Sequence, residues 1–395
     1  MPRFPSLSAP TQVLPASILD RLKRRAAEFR GPVIPLHIGD THLAPPEKSR
    51  LGALGFSTGR DADLYRYSPP PGKQALLEAL VVKLHRQNRI LAAGPDNVQV
   101  TVGATHGLAC AIRALLDPGE HILLPSPYWP HIRGIAIAAG VRPIEAPFTH
   151  VLLRRPGADP EELLEELVTP ETGAIYLSTP NNPDGKVLTP DELAKVARVA
   201  ERHHLWVLSD EVYEDLVHDG RIHTSIASLP GMAGRTVTLF SFSKSFGQAG
   251  LRVGYAVGPA GAMAALRKMS HHTVYCVPRA MQRAALMALE TGAEFLAEAR
   301  ALYQATRDAV HARLGDLCLR PEGSTYLFLD LSRFRRAGEA DALGALERIA
   351  DAGVLLAPGA AFGHDYGDWA RLCFTSVDRP ALDEAVDRII RVLHS

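Results

Sequence analysis

The chain has 395 residues, of which 46% are hydrophobic, and its 43 lysines and arginines balance 43 aspartates and glutamates. A chain of this size can bury a large core and is expected to form two linked domains, while zero net charge leaves no general electrostatic footprint for nucleic acid or a membrane surface. No run approaches the length of a membrane span, and Met1-Pro2-Arg3-Phe4-Pro5-Ser6 lacks the apolar core of a secretion signal, so a cytoplasmic protein is expected.

In chain order, residues 17–29 carry apolar side chains at helical spacing, among them Ile18, Leu19, Leu22, Ala26 and Phe29. Tyr67, in Tyr65-Arg66-Tyr67-Ser68-Pro69-Pro70-Pro71-Gly72, reads locally as a tyrosine on a proline turn. Asn97-Val98-Gln99-Val100-Thr101-Val102 reads as a strand that passes through the small-residue turn Gly103-Ala104-Thr105-His106-Gly107 into a helix over 108–116. Such a helix start is an anion site, which makes the backbone N–H groups near Ala104 and Thr105, with the Thr105 hydroxyl, candidates for holding a phosphate. The Gly-x-Gly-x-x-Gly pattern of dinucleotide enzymes is absent.

Trp129, in Pro125-Ser126-Pro127-Tyr128-Trp129-Pro130, is by itself as well explained by core filling as by a ligand. Asp159-Pro160-Glu161-Glu162 and Thr189-Pro190-Asp191-Glu192 each place a capping side chain three residues before a glutamate, with proline at the first helical position. Two apolar runs end in polar loops: residues 173–178 lead to Asn182, and Leu205-Trp206-Val207-Leu208 leads to Asp210 and Tyr213. Alternation of such runs with amphipathic helices predicts an α/β fold, a mostly parallel sheet covered on both faces. In such a sheet, ligands bind beyond the carboxyl ends of the strands.

A third run, Thr236-Val237-Thr238-Leu239-Phe240, opens into Ser241-Phe242-Ser243-Lys244-Ser245-Phe246-Gly247 and then Gly250-Leu251-Arg252-Val253-Gly254. A lysine between serines, eight residues before an arginine, suits a phosphorylated aldehyde held as an imine, because the phosphate needs the hydroxyls of Ser241 and Ser243 and the fork of Arg252. Pyridoxal phosphate is the candidate cofactor. Singly, Asp210 reads as a cap, Tyr213 as a half-buried ring and Asn182 as a turn residue, whereas the Lys244 segment by itself favours the imine role over a loop lysine; jointly they suggest one crevice. Residues 279–317 read as long helix with few breaks, followed by short strands at 324–331, 353–356 and 371–374, the last opening on Arg371.

The segments Ser-Thr-Pro-Asn-Asn-Pro-Asp-Gly, Ser-Asp-Glu-Val-Tyr, Ser-Phe-Ser-Lys and Gly-Leu-Arg-Val-Gly-Tyr occur together in this order. From about residue 33 to its end the chain resembles the class I/II, fold-type I pyridoxal-phosphate enzymes of the aspartate aminotransferase superfamily. The resemblance implies a large cofactor-binding domain over 46–280 and a smaller α+β domain from 1–45 and 281–395. It implies that Asp210 pairs with the pyridine nitrogen and that Tyr213 and Asn182 contact the phenolic oxygen. Trp129, with Tyr128 as a substitute, would stack on the ring, and Tyr67 would reach across a homodimer to the neighbouring phosphate. Arg371 would bind the substrate α-carboxylate, with Gly39 passing close to it.

The activity implied is transamination between an L-amino acid and a 2-oxo acid in ping-pong half reactions, Lys244 first anchoring the cofactor and then carrying the α-proton. The same scaffold also supports lyases, cyclases and decarboxylases. A ligand-sensing domain of a transcription regulator is not expected, because about thirty residues before the match leave no room for a DNA-binding module. Counting back from Tyr275-Cys276-Val277-Pro278, His272 stands where aspartate-specific relatives carry a second arginine, so a simple aspartate enzyme is disfavoured; His271 and Arg279 are further candidates for meeting a polar side chain. His42, near the place of a usual proline, is expected to cap a turn rather than line the pocket. The four cysteines are scattered and the paired histidines 203–204 and 271–272 point apart on a helix, so a reducing compartment and no metal are expected.

Overall fold

The computed structural model describes residues 5–14, 18–55 and 62–395. Its strands in chain order are β1 (Ile34–Pro35), β2 (Val98–Thr101), β3 (His121–Ser126), β4 (Arg142–Pro147), β5 (Thr172–Ser178), β6 (Trp206–Asp210), β7 (Thr236–Ser241), β8 (Gly254–Val257), β9 (Tyr326–Asp330), β10 (Val354–Leu355), β11 (Ala357–Pro358) and β12 (Trp369–Cys373). Seven of them form one sheet in the order β2-β8-β7-β6-β5-β3-β4. Only β8 runs antiparallel to its neighbours. The carboxyl ends of β2 to β7 and the start of β8 therefore share one edge of the sheet.

Strand periodicity explains why both faces are covered. Ile122, Leu124, Ala174, Tyr176 and Leu208 join a core with the helix Gly103–Leu115, whereas their neighbours Leu123, Ile175, Leu177 and Val207 pack with Leu193 and Val196 of the helix Pro190–Arg202. Successive side chains point to opposite faces, so runs apolar at every position are what a doubly covered parallel sheet requires. This is the fold-type I arrangement expected from the sequence.

A separate core forms from Leu22, Ile34, Leu36, Val310, Leu327, Leu372 and Ile389, and it takes in Tyr213 and Leu216 from the loop after β6. Around it lie the antiparallel sheet β11-β12-β9 and the parallel pair β1-β10. The N-terminal helix spans Ile18–Ala26, and Ser17, the start of the expected helix, lies outside the described residues.

Two helix boundaries differ from expectation. The helix expected over 108–116 is Gly103–Leu115, so Ala104 and Thr105 stand in its first turn. Gly107 lies inside the helix, where a Cβ would come within 2.8 Å of the Leu239 side chain, so its smallness serves packing and not a turn. The long helix expected over 279–317 is two, Arg279–Thr291 and Ala293–Leu314, broken at Gly292, where a Cβ would meet the Ala288 carbonyl at 2.4 Å and the Phe246 ring at 2.8 Å. Thr189 and Glu192 form the expected reciprocal cap, while Asp159 accepts from the N–H of Glu161 at 2.9 Å. Among the described residues no helix is long and apolar enough to cross a membrane.

Candidate active site

At the common edge of the sheet, β7 ends at Ser241, whose Oγ accepts from the Ser243 N–H at 3.1 Å and donates to Ser243 Oγ at 2.9 Å. This caps the one-turn helix Phe242–Ser245 and presents Lys244 from it. The Lys244 Nζ donates to the Gly39 carbonyl and lies 6.0 Å from the centre of the Tyr213 ring. Ser245 donates to Asp215 Oδ2 at 2.7 Å, which ties the lysine turn to the loop after β6.

Asp210 closes β6 and is 5% exposed. Tyr176, one strand away on β5, donates to its Oδ2 at 2.8 Å, while Oδ1 is buried without a partner among the described residues. Burial pushes this carboxyl up to about 6, against the opposing pull of the Tyr176 hydroxyl and the Val212 N–H. A buried carboxylate with one unmet oxygen is costly, and the cost is offset when a donor faces that oxygen.

Arg371, on β12, is 7% exposed. Its Nη1 donates to Asn182 Oδ1 at 2.9 Å and its Nη2 to the His37 carbonyl at 2.6 Å; its Nε has no partner among the described residues. The guanidinium lies 4.2 Å from the centre of the Tyr326 ring and 5.0 Å from that of Phe362. Among the described residues no carboxylate pairs with it. A permanently charged, buried group without a counterion is a site built for an anion. Asn182 keeps its amide nitrogen as a donor once its oxygen is taken by Arg371.

Tyr213 is 3% exposed, and its hydroxyl is 2.5 Å from that of Tyr326. Burial and then the neighbouring Tyr326 hold the Tyr213 phenol well above its ordinary range. Gly39 is wedged here: a Cβ on it would collide with the Tyr326 hydroxyl, so only glycine brings its carbonyl to Lys244.

A second group of residues converges beside the lysine turn. Arg252 adopts φ 55° just before β8, and a Cβ on Gly103 would meet its Nη2 at 2.5 Å, so the guanidinium rests against the start of the helix Gly103–Leu115. Gly254 is equally close, since a Cβ there would lie 2.8 Å from the Ala104 nitrogen. The first-turn N–H groups of Ala104 and Thr105 have no intrahelical acceptor, and they stand with Arg252 in a cradle suited to a phosphate.

Other sequence candidates fall around this centre. Tyr128 is buried with its hydroxyl donating to Glu145 at 2.6 Å, while Trp129 is half-buried, packs on the core that includes Ala104 and meets the His131 ring edge-on with centres 5.1 Å apart. Tyr67 is 77% exposed, with its ring 4.9 Å from Tyr275 and its carbonyl accepting from Arg279 Nε at 2.9 Å. His271 lies between His272 and Tyr275, with ring centres 5.4 and 4.8 Å away. His42 is exposed, and both its N–H and its Nδ1 meet the carbonyl of Thr375, far along the chain, so it ties two distant segments where a local turn cap was expected. No group of three or more potential metal ligands occurs among the described residues.

Tyr326 and Tyr176 were not legible as site residues. Each sits in an apolar strand run where a ring reads as core; the only signal is a hydroxyl that needs a partner once buried.

The family model for aminotransferase class I and II matches residues 32–389. The aromatic-amino-acid aminotransferase 2 of Thermococcus litoralis is 34% identical over 366 residues, covering 91% of this chain and 92% of that protein. The aspartate aminotransferase of Musicola paradisiaca is 32% identical over 364 residues, covering 91% and 88%. A single mutant of Thermus thermophilus aspartate aminotransferase superposes with a TM-score of 0.88 at 30% identity, over 98% of this chain and 100% of the other. The chain thus belongs to the class I and II aminotransferases and is a pyridoxal-phosphate-dependent transaminase, with amino acids and keto acids as its substrates.

Proposed function

We propose that this site transfers the amino group of an L-amino acid held by its α-carboxylate on Arg371, with Lys244 as the group that moves the α-proton. The observation that carries this reading is the buried Arg371 guanidinium, without a carboxylate partner, in the same cluster as Gly39, whose carbonyl accepts from Lys244. Arg371 fixes the substrate by parallel hydrogen bonds and so orients the bond to be broken. Lys244, once its amine is neutral, takes up the α-proton as a positioned base.

The residues present fit pyridoxal phosphate. The unmet Asp210 Oδ1 suits a protonated ring nitrogen, the Tyr213 hydroxyl and the Asn182 amide suit a phenolic oxygen, and Arg252, Ser241, Ser243, Ala104 and Thr105 suit a phosphate. When bound, the cofactor supplies an electron sink for the bond broken at the substrate α-carbon. Trp129 would cover the ring face and keep water from it.

The reading favours aromatic donors over aspartate. Where a second arginine would grip a distal carboxylate stands His272, in an exposed ring cluster with His271, Tyr275 and Tyr67, and Arg279 is engaged with the Tyr67 carbonyl. A panel of amino donors against several keto acids, read by product mass, tests it. Phenylalanine or tyrosine should convert with the higher kcat/KM and only when a keto acid is present; aspartate as the better donor would overturn the preference, and conversion without an acceptor would overturn transamination.

The remaining proposals follow the same reading. Exposed Tyr65 (93%), Tyr67 (77%) and Tyr275 (42%) support a homodimer in which Tyr67 completes the neighbouring site. Sedimentation equilibrium should give twice the 42.7 kDa chain mass, and a monomer that is fully active would remove the proposal. The separate core around Leu22, Leu327 and Ile389 supports division into 46–280 and a smaller domain from 1–45 and 281–395. Four unpaired thiols support a reducing compartment, the cytoplasm.

A further inference from the structure

We propose that Tyr326 is a positioning residue of this site, its hydroxyl orienting the proton of Tyr213 while its ring carries the Arg371 guanidinium. The inference rests on the roles given above to Tyr213 and Arg371. In the β9–β12 register Tyr326 pairs with Cys373 and Phe328 with Arg371. Alternation along each strand therefore puts Tyr326 and Arg371 on one face as diagonal neighbours. At 4.2 Å from the ring centre, the guanidinium is within the range of a cation–π contact, and one between buried partners is stronger than one in water.

The hydroxyl does separate work. Tyr326 is 1% exposed, and Tyr213 is the hydrogen-bond partner of its oxygen among the described residues. Each phenol has one proton to donate. If Tyr213 gave its proton to Tyr326, it would have none for another acceptor, and the Tyr326 proton would be buried unmet. If Tyr326 donates to the Tyr213 oxygen, both needs are met and the Tyr213 proton is left for the cofactor's phenolic oxygen. A phenylalanine would fill the same space with no polar group to satisfy, so packing alone does not call for the hydroxyl. The same oxygen also occupies the room a side chain on Gly39 would need, which links it to the carbonyl that accepts from Lys244.

The test compares holoenzymes of Tyr326→Phe and Tyr326→Leu with Tyr213→Phe and Arg371→Lys. Two readouts are used: the pH midpoint of the visible absorbance, which follows the hydrogen bond to the phenolic oxygen, and KM for the amino donor, which follows Arg371. Tyr326→Phe should raise the midpoint by about 0.5–1 pH unit, the worth of one hydrogen bond, with KM held within about twofold because the ring remains. Tyr326→Leu should add a KM increase of about 2–30-fold. Combined with Tyr213→Phe, Tyr326→Phe should shift the midpoint no further than Tyr213→Phe does by itself.

A midpoint moved by Tyr213→Phe and unmoved by Tyr326→Phe would overturn the positioning of the proton while leaving the site intact. Should Tyr213→Phe itself leave the midpoint unmoved, the reading of Tyr213 falls and this proposal with it. KM raised by Arg371→Lys but unchanged in Tyr326→Leu would overturn the role of the ring. Thermal unfolding identifies a leucine variant that has lost its fold, in which case Tyr326→Phe decides the hydroxyl and the longer, ringless Tyr326→Met decides the ring by the same KM readout.

Discussion

Replacing Lys244 by alanine is expected to lower kcat by about 10²–10⁴ and to remove the lysine-dependent visible absorbance of the holoenzyme. The argument is positional. The capped turn Phe242–Ser245 is held from one side by Ser241 and from the other by the Ser245 to Asp215 hydrogen bond of 2.7 Å, so the amine is presented toward Gly39 and Tyr213. Alanine leaves that turn intact and removes only the proton carrier. Single-turnover kinetics with an amino donor, with and without added methylamine, make the check. Restoration of rate by the small amine is the expected pattern, and undiminished turnover without it would take Lys244 out of the mechanism.

Asp210→Asn should act in opposite directions on activity and on apoenzyme stability. An asparagine still accepts from Tyr176 but carries no charge to hold a proton on the ring nitrogen, so kcat should fall by about 10²–10³. Stability follows from the carboxyl's shift from its ordinary 3.8 to about 6 through burial. Between those values the folded apoenzyme holds a proton that the unfolded chain has released. The contribution to stability is therefore complete below about pH 3.8 and is lost as pH rises through about 6. Above that range the buried charge costs at most about 3 kcal/mol. Apo Asp210→Asn should accordingly be about 1–3 kcal/mol more stable than the parent at pH 8, and equal to it at pH 4, by denaturant unfolding. No gain at pH 8 would mean that Asp210 is not charged and desolvated as its burial implies.

The polar ends of three apolar runs were readable in the sequence as one crevice. Asn182 and Lys244 follow β5 and β7, and Asp210 closes β6; the three strands are adjacent, parallel and in that order in the sheet. Short apolar segments that stop at a polar loop carry this signal because a central strand is apolar on both faces until it leaves the core. Boundaries were less readable. Gly103 and Gly107 look alike in sequence, yet Gly103 takes φ 70° at the turn and Gly107 is helical, its smallness required by Leu239. Gly292 stands where a continuous helical pattern breaks, and a side chain there would meet both the Ala288 carbonyl and a ring from the lysine segment, Phe246.

Residue chemistry and order along the chain pointed to the kind of site: a lysine turn, an acid, a phenol, two arginines and a helix start, most of them at or just beyond the end of a strand. Only the tertiary structure decided which groups meet which. That Arg371 is buried with no carboxylate among the described residues, that among them one oxygen of Asp210 is met by Tyr176 and the other is not, and that Tyr326 touches Tyr213 and Arg371 together depend on strands far apart in sequence. Local sequence governs where a strand or helix begins and which residues it delivers at its end. Burial and hydrogen-bond pairing depend on what the rest of the chain brings to the same place, and they set charge and proton position.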